Sequence, residues 1–186
     1  MPQSRFPRLV SLACHDLRTP LATVYGFART LTRSGDPDPR SARFLAMIEE
    51  ASEQMSALLD ELGTAARIES GRWEPALRQA DTLELARSGD ERVAVEGAGE
   101  SVETDVDAVK RSLEALAIAA IRHGPVGGVT WRVDGRLLVL QPVTAAAGVV
   151  LVGEELRDFG SVVAGLVLAE LGATAELDGE TLRVRL

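Results

Sequence analysis

A histidine and an aspartate stand side by side at His15-Asp16, and five residues after the histidine comes Pro20, inside a stretch whose periodicity is helical. An imidazole near neutral pH can be a nucleophile or an acid–base group, and an adjacent carboxylate can orient the ring and raise the basicity of the attacking nitrogen. With Val10 and Leu17 at heptad position a, His15 falls at position f, facing outward where a partner can reach it. Pro20 removes the hydrogen bond to the Asp16 carbonyl and predicts a kink one turn beyond the histidine. A proline inside a helix costs about 3 kcal/mol, so a bend beside an exposed His-Asp pair suggests a functional role. A surface histidine next to a tolerated kink is the plainer reading of the same spacing. Cys14, the single cysteine, reads as a small seam residue rather than a reactive thiol. One cysteine and two histidines, His15 and His123, exclude a disulfide framework and leave too few soft ligands for a zinc centre. No metal site is expected.

The elements that must carry this pair are two long helices. Val10, Leu17, Val24 and Leu31 recur every seven residues, with Ala13, Pro20 and Phe27 between them. In the second helix Phe44, Ile48, Ala51, Met55, Leu58, Leu62 and Ala65 alternate steps of four and three, an a/d stripe. Ser34-Gly35-Asp36-Pro37-Asp38-Pro39 separates the two as a loop. One antiparallel hairpin of this length buries both stripes poorly, so a homodimer closing a four-helix bundle is expected. Beyond Gly71 and Pro75 the character changes. Strands are predicted at 92–96 and 101–104 around a Gly97-Ala98-Gly99 turn, with a helix over 105–123. Hairpins are expected at Asp134-Gly135 and Asp178-Gly179, and an apolar helix over 161–171. The expected fold class is α+β. Its domains are a helical hairpin over 1–72 and a small α/β sandwich over 73–186, with helices on one face of a sheet.

Composition bounds the function. The chain has 186 residues, 46 % apolar and 26 % charged, which is globular rather than disordered. Its net charge of −8 is concentrated in residues 76–186, which carry 11 basic against 18 acidic side chains. That balance argues against nucleic acid, whose phosphates need a basic face. The apolar stretch 137–153, interrupted by Gln141, Pro142 and Thr144, is too short to span a bilayer. No charged-then-apolar leader follows Met1, so the expectation is a cytoplasmic protein. Met1 and a strand reaching Leu186 are expected of a whole chain.

The string His15-Asp-Leu-Arg-Thr-Pro-Leu21 resembles the H-box of bacterial two-component sensor histidine kinases, whose pattern is His, an acid, Leu, Arg, Thr or Asn, Pro, Leu. Arg67-Ile-Glu-Ser-Gly-Arg72 resembles the segment that closes the same domain. The resemblance implies that His15 is the phosphoacceptor, that Asp16 assists proton removal and that Thr19 orients water for dephosphorylating a response regulator. Pro20 matches the family's helix-bending proline. It also implies a response regulator receiver domain docking beside the histidine. That surface would take in Cys14, Arg18, Thr19 and Ala22, and residues near Leu58 to Leu62 outside the seam.

Residues 76–186 resemble in element order the ATP-binding domain that follows this bundle in the family, with the motifs eroded. Asp107 to His123 is similar to its N-box helix. The two asparagines of that motif fall at Ala115 and Ala119, while Arg122 and His123 match its basic residue and histidine. A methyl group offers magnesium no oxygen. After the strand Leu137–Leu140 the sequence runs Gln141-Pro-Val-Thr-Ala-Ala-Ala-Gly148, without the aspartate of the adenine-reading loop. Of the glycine-rich lid only Gly165-Leu-Val-Leu-Ala169 remains, and Gly148 reaches Ser161 in 13 steps, too few for the usual lid. No ATP or magnesium cofactor is therefore expected. His123 alone reads as a cap at the C-terminal end of its helix. Three functions stay open: a phosphotransfer protein resembling kinase-derived histidine phosphotransferases, an autokinase with a divergent nucleotide site, and a pseudokinase that binds a response regulator.

Overall fold

The computed structural model describes residues 5–34 and 38–186; within the first helix, side chains are described at Val10, Cys14, His15 and residues 17–33. The chain divides into two compact units, Met1–Trp73 and Glu74–Leu186.

The first unit is a helical hairpin, α1 (Arg5–Ser34) and α2 (Pro39–Glu69). The start of α2 follows from its first residues. Asp38 is the N-cap and accepts from the Arg40 and Ser41 amides at 3.0 and 3.2 Å, and Pro39 supplies a preset φ at the first helical position. The end of α2 is a Schellman turn. The Gly71 amide donates to the Ile68 carbonyl and the Arg72 amide to the Arg67 carbonyl, with Gly71 at φ 61°. The segment that the family motif marks as the domain's close is thus a helix stop. Of the expected loop, residues 35–37 lie outside the described residues.

The seam between the helices differs from the predicted one. Cys14 and Ala28 of α1, and Ser52, Gly63 and Ala66 of α2, are buried. Arg18, Leu21 and Tyr25, and Leu45, Glu49, Ser56 and Leu59, are half-buried between them. These positions keep the alternating steps of four and three but stand one residue after the predicted stripes. The predicted stripes face outward: Leu17, Val24, Phe27 and Leu31 are 49–67 % exposed, and Phe44, Ile48, Met55, Leu58 and Leu62 are exposed on α2. The reason is size. Gly, Ala, Ser and Cys side chains let two backbones approach closely, whereas a row of Leu, Phe and Met would hold them apart. Ala13 of the predicted stripe has its side chain outside the described residues.

The second unit is built on a five-stranded sheet, β2 (Val93–Gly99), β4 (Val129–Gly135), β5 (Leu137–Gln141), β7 (Thr181–Arg185) and β6 (Thr174–Asp178) in that spatial order. β2 runs parallel to β4, and every other pairing is antiparallel. A separate two-stranded ladder joins β1 (Leu77–Asp81) to β3 (Ser101–Asp105). Alternation places Val129, Trp131, Val133, Leu138, Leu140, Leu182 and Val184 on one buried face. The core they form also takes in Leu113 and Leu116 of α4 (Val106–His123), Ala147 and Leu151 of α5 (Ala145–Leu151) and Leu168 of α6 (Phe159–Glu170). The other face carries exposed ion pairs, among them Arg132–Glu96 and Arg183–Asp178.

Both predicted hairpins form, β4–β5 and β6–β7. The predicted pairing of 92–96 with 101–104 does not. β2 continues through Gly97 to Gly99 and pairs with β4, while β3 belongs to the other ladder. Gly97 takes φ 113°, and a Cβ there would collide with the Val133 carbonyl, its register partner. These glycines serve close strand approach rather than a turn. Three elements escaped the sequence reading: β1, which is almost wholly exposed and has no alternation; α3 (Thr82–Ala86); and α5, which Thr144 caps by accepting from the Ala147 amide. Gly97→Ala should lower the stability of the second unit by about 3 kcal/mol in urea melts. An unchanged midpoint would rule out the parallel β2–β4 register.

Candidate functional site

His15 lies on the exposed side of α1, while its neighbour Cys14, about 100° further round the helix, is 2 % exposed and turned toward α2. Thr19 and Ala22, four and seven residues on, are exposed and share the His15 face, so the helix presents a stripe of histidine, hydroxyl and methyl. The Thr23 hydroxyl donates to the Thr19 carbonyl at 3.0 Å. Pro20 lies within α1, which continues to Ser34. Lacking an N–H, it leaves the Asp16 carbonyl without its helical donor. The side chain of Asp16 lies outside the described residues.

Of the residues expected on the docking surface, Cys14 is buried and Arg18 is paired across the hairpin. Cys14 belongs to the interhelical seam, where it is 2 % exposed. Arg18 reaches across the hairpin: its Nη2 meets Asp60 Oδ1 at 2.5 Å. Asp60 was not singled out in the sequence reading, although it lies between Leu58 and Leu62. The only available signal was an acid on α2 that could match the Arg of the motif, and that needs the interhelical register. At Gly63 an added Cβ would stand 3.8 Å from Arg18 Nη2, so the guanidinium lies against bare α2 backbone.

In the second unit Arg122, His123 and Asp158 come together. Arg122 Nη1 donates to Asp158 Oδ2 at 2.6 Å, and His123 Nε2 stands 3.2 Å from the same oxygen. Oδ1 accepts from the Ser161 amide at 3.0 Å, so Asp158 is also the N-cap of α6. Burial pushes the Asp158 carboxyl upward, but its bonds from the Ser161 amide and His123, with the Arg122 charge, outweigh this and hold it below the usual carboxylate range. His123 is therefore not the cap it resembled. The Gly124 amide closes α4 by donating to the Ala120 carbonyl, and the ring is spent on Asp158. Ala119 is 1 % exposed and Ala115 half-buried. Val167 is buried within α6, and seven residues, 152–158, separate α5 from α6. Among the described residues, no three His, Cys, Asp or Glu side chains are grouped to hold a metal ion. Among the described residues, no helix is long and apolar enough to cross a membrane.

Residues 8–71 match the His Kinase A (phospho-acceptor) domain. Over 135 residues, 63 % of this chain, it is 32 % identical to the sensor protein KdpD of Mycobacterium tuberculosis. It is 28 % identical to the histidine protein kinase DivJ of Caulobacter vibrioides over 169 residues, 82 % of this chain. The chain spans 16 % of the length of KdpD and 28 % of that of DivJ. Its fold is similar to that of full-length ShkA crystallised in complex with AMPPNP, at TM-score 0.68 and 18 % identity, covering 96 % of this chain and 44 % of that one.

Because Asp158 titrates lower folded than unfolded, its carboxylate stabilises the fold in full above about pH 4, and that contribution is lost as pH falls through the lowered folded value. Asp158→Asn, which keeps a capping oxygen, should cost about 2 kcal/mol at pH 7. The gap from wild type should shrink below pH 4 in chemical melts. A gap independent of pH would show that the charge on Asp158 contributes nothing.

Proposed function

We propose that this chain, of the two-component sensor histidine kinase family, is a histidine phosphotransfer protein, in which His15 exchanges a phosphoryl group with the aspartate of a response regulator receiver domain without using ATP. The observation that carries this reading is the contrast between an exposed imidazole at His15 and a buried methyl at Ala119, where the family motif has the magnesium-holding asparagine. The residues present fit a magnesium–nucleotide complex poorly. Ala119 and Ala115 supply no oxygen ligand. Arg122 and His123, which the motif retains, are both hydrogen-bonded to Asp158 within the fold. The seven residues 152–158 leave little chain to cover phosphates.

Phosphoryl transfer from a receiver asks less of this chain than transfer from ATP, because the donor is already an activated acyl phosphate. The chain must present a neutral imidazole on an accessible helix face, with Asp16 to orient it and Thr19 one turn away to position water for hydrolysis. A second copy of the hairpin covers the outward apolar stripes. Leu17, Val24 and Leu31 of α1 and Met55, Leu58 and Leu62 of α2 make a face too apolar to stay in water. The second reading, an autokinase, is favoured by one observation: the match to DivJ, a histidine protein kinase, extends over 82 % of the chain and so into the second unit.

A receiver domain charged with radioactive acetyl phosphate should label the wild type and leave His15→Ala unlabelled, with the acid lability of phosphohistidine. Magnesium and ATP alone should leave His15 unlabelled. Labelling by ATP establishes the autokinase instead, and receiver binding without label from either donor establishes a non-catalytic binder. Light scattering should find a dimer for the wild type and a monomer for the Leu58→Glu, Leu62→Glu double variant. A monomeric wild type at micromolar concentration overturns the bundle.

A further inference from the structure

One charge pair at the hairpin is not accounted for by a neutral imidazole and its orienting acid. Arg18 stands three residues after His15, which places their Cβ atoms about 5–6 Å apart on the helix surface. A helical side chain leans toward the helix N-terminus and covers the turn before its own Cα. For Arg18 that turn carries His15. Its guanidinium nevertheless goes to α2, where Nη2 meets Asp60 Oδ1 at 2.5 Å. The two side chains are 42 % and 66 % exposed, and an ion pair that wet is held weakly. A Cβ added at Gly63 would stand 3.6 Å from Arg67 Nη1 and 3.8 Å from Arg18 Nη2, so a second guanidinium borders the pair and its like charge opposes holding Arg18 there.

We propose that Arg18 is the cation that meets the phosphoryl group as it passes to or from His15, and that Asp60 is a positioning residue that holds the guanidinium between transfers. The proposal rests on the reading of His15 as phosphoacceptor. In the transfer the lone pair of a ring nitrogen forms the N–P bond. The acyl O–P bond of the receiver's aspartyl phosphate breaks, and its electron pair leaves on the receiver carboxylate, with no co-reactant consumed. Negative charge on the equatorial oxygens is greatest near His15 during this step. A phosphoryl group is a stronger partner for a planar guanidinium than one solvated carboxylate, so it draws Arg18 from Asp60. Once the group departs, Asp60 takes Arg18 back.

The test measures single-turnover labelling of His15 by a receiver domain charged with acetyl phosphate. Arg18→Gln should slow labelling roughly ten- to a hundredfold, the scale of one charge-assisted hydrogen bond. Arg18→Lys should recover part of that, and helicity and melting temperature should stay close to wild type in both. Asp60→Asn should speed labelling about two- to fivefold, the scale of an exposed pair. In the Arg18→Gln background the same change should have no effect. That last comparison separates release of Arg18 from mere removal of a negative charge, which would speed labelling equally in both backgrounds. Equal effects in both backgrounds, or an Arg18→Gln rate equal to wild type, overturn the proposal. If the wild type is not labelled at all, the phosphoacceptor reading fails and this inference with it, whereas labelled wild type with an indifferent Arg18 removes the inference alone.

Discussion

The close approach of α1 and α2 is the constraint on which the rest of the hairpin depends. Cys14 and Ala28 on one helix, and Ser52, Gly63 and Ala66 on the other, are small enough for the backbones to meet along a seam. Once they do, every other face of α1 is assigned. The residue after Cys14 must turn outward, so His15 is accessible. The residue four beyond Cys14 must lie against α2, so Arg18 finds Asp60. The larger apolar side chains, displaced by one position from the seam, must face away from it.

The same packing explains why the hairpin is unfinished as a structure. A helix in a four-helix bundle needs apolar residues toward two neighbours, which takes a stripe wider than one a/d row. Small residues of the hairpin line its internal seam, while Leu17, Val24, Leu31, Met55 and Leu58 are exposed, the face that the proposed dimer would cover. The outward histidine stripe lies on a third face, so covering the apolar face leaves the chemistry open.

In the second unit one carboxylate does the comparable work. Asp158 caps α6 through the Ser161 amide and binds Arg122 and His123 at the end of α4. Two helices far apart in sequence are joined at a buried anion, and its compensation comes entirely from groups within the fold. Arg122 and His123 therefore meet at one oxygen, Asp158 Oδ2, at the end of α4.

Most local structure was legible in the sequence because it is set by neighbours along the chain. Pro39 after Asp38, and Ser70-Gly71 after a periodic run, start and stop α2, and Asp-Gly pairs turn both hairpins. The His-Asp-Leu-Arg-Thr-Pro-Leu string singled out the candidate nucleophile, and the heptad spacing turned it outward even though the seam lies one residue from the predicted stripe. Tertiary structure alone decided which of two adjacent stripes lies inside, since Cys14 and Leu17 are both apolar. The choice turned on how closely the backbones can approach, a property of the pair of helices. It also decided that β2 pairs with β4 through Gly97, because strand partners are chosen by long-range contacts that no turn signal reports. Arg18–Asp60 and Arg122–Asp158 were hidden for the same reason. Opposite charges 42 and 36 positions apart become partners only when packing has brought their helices together.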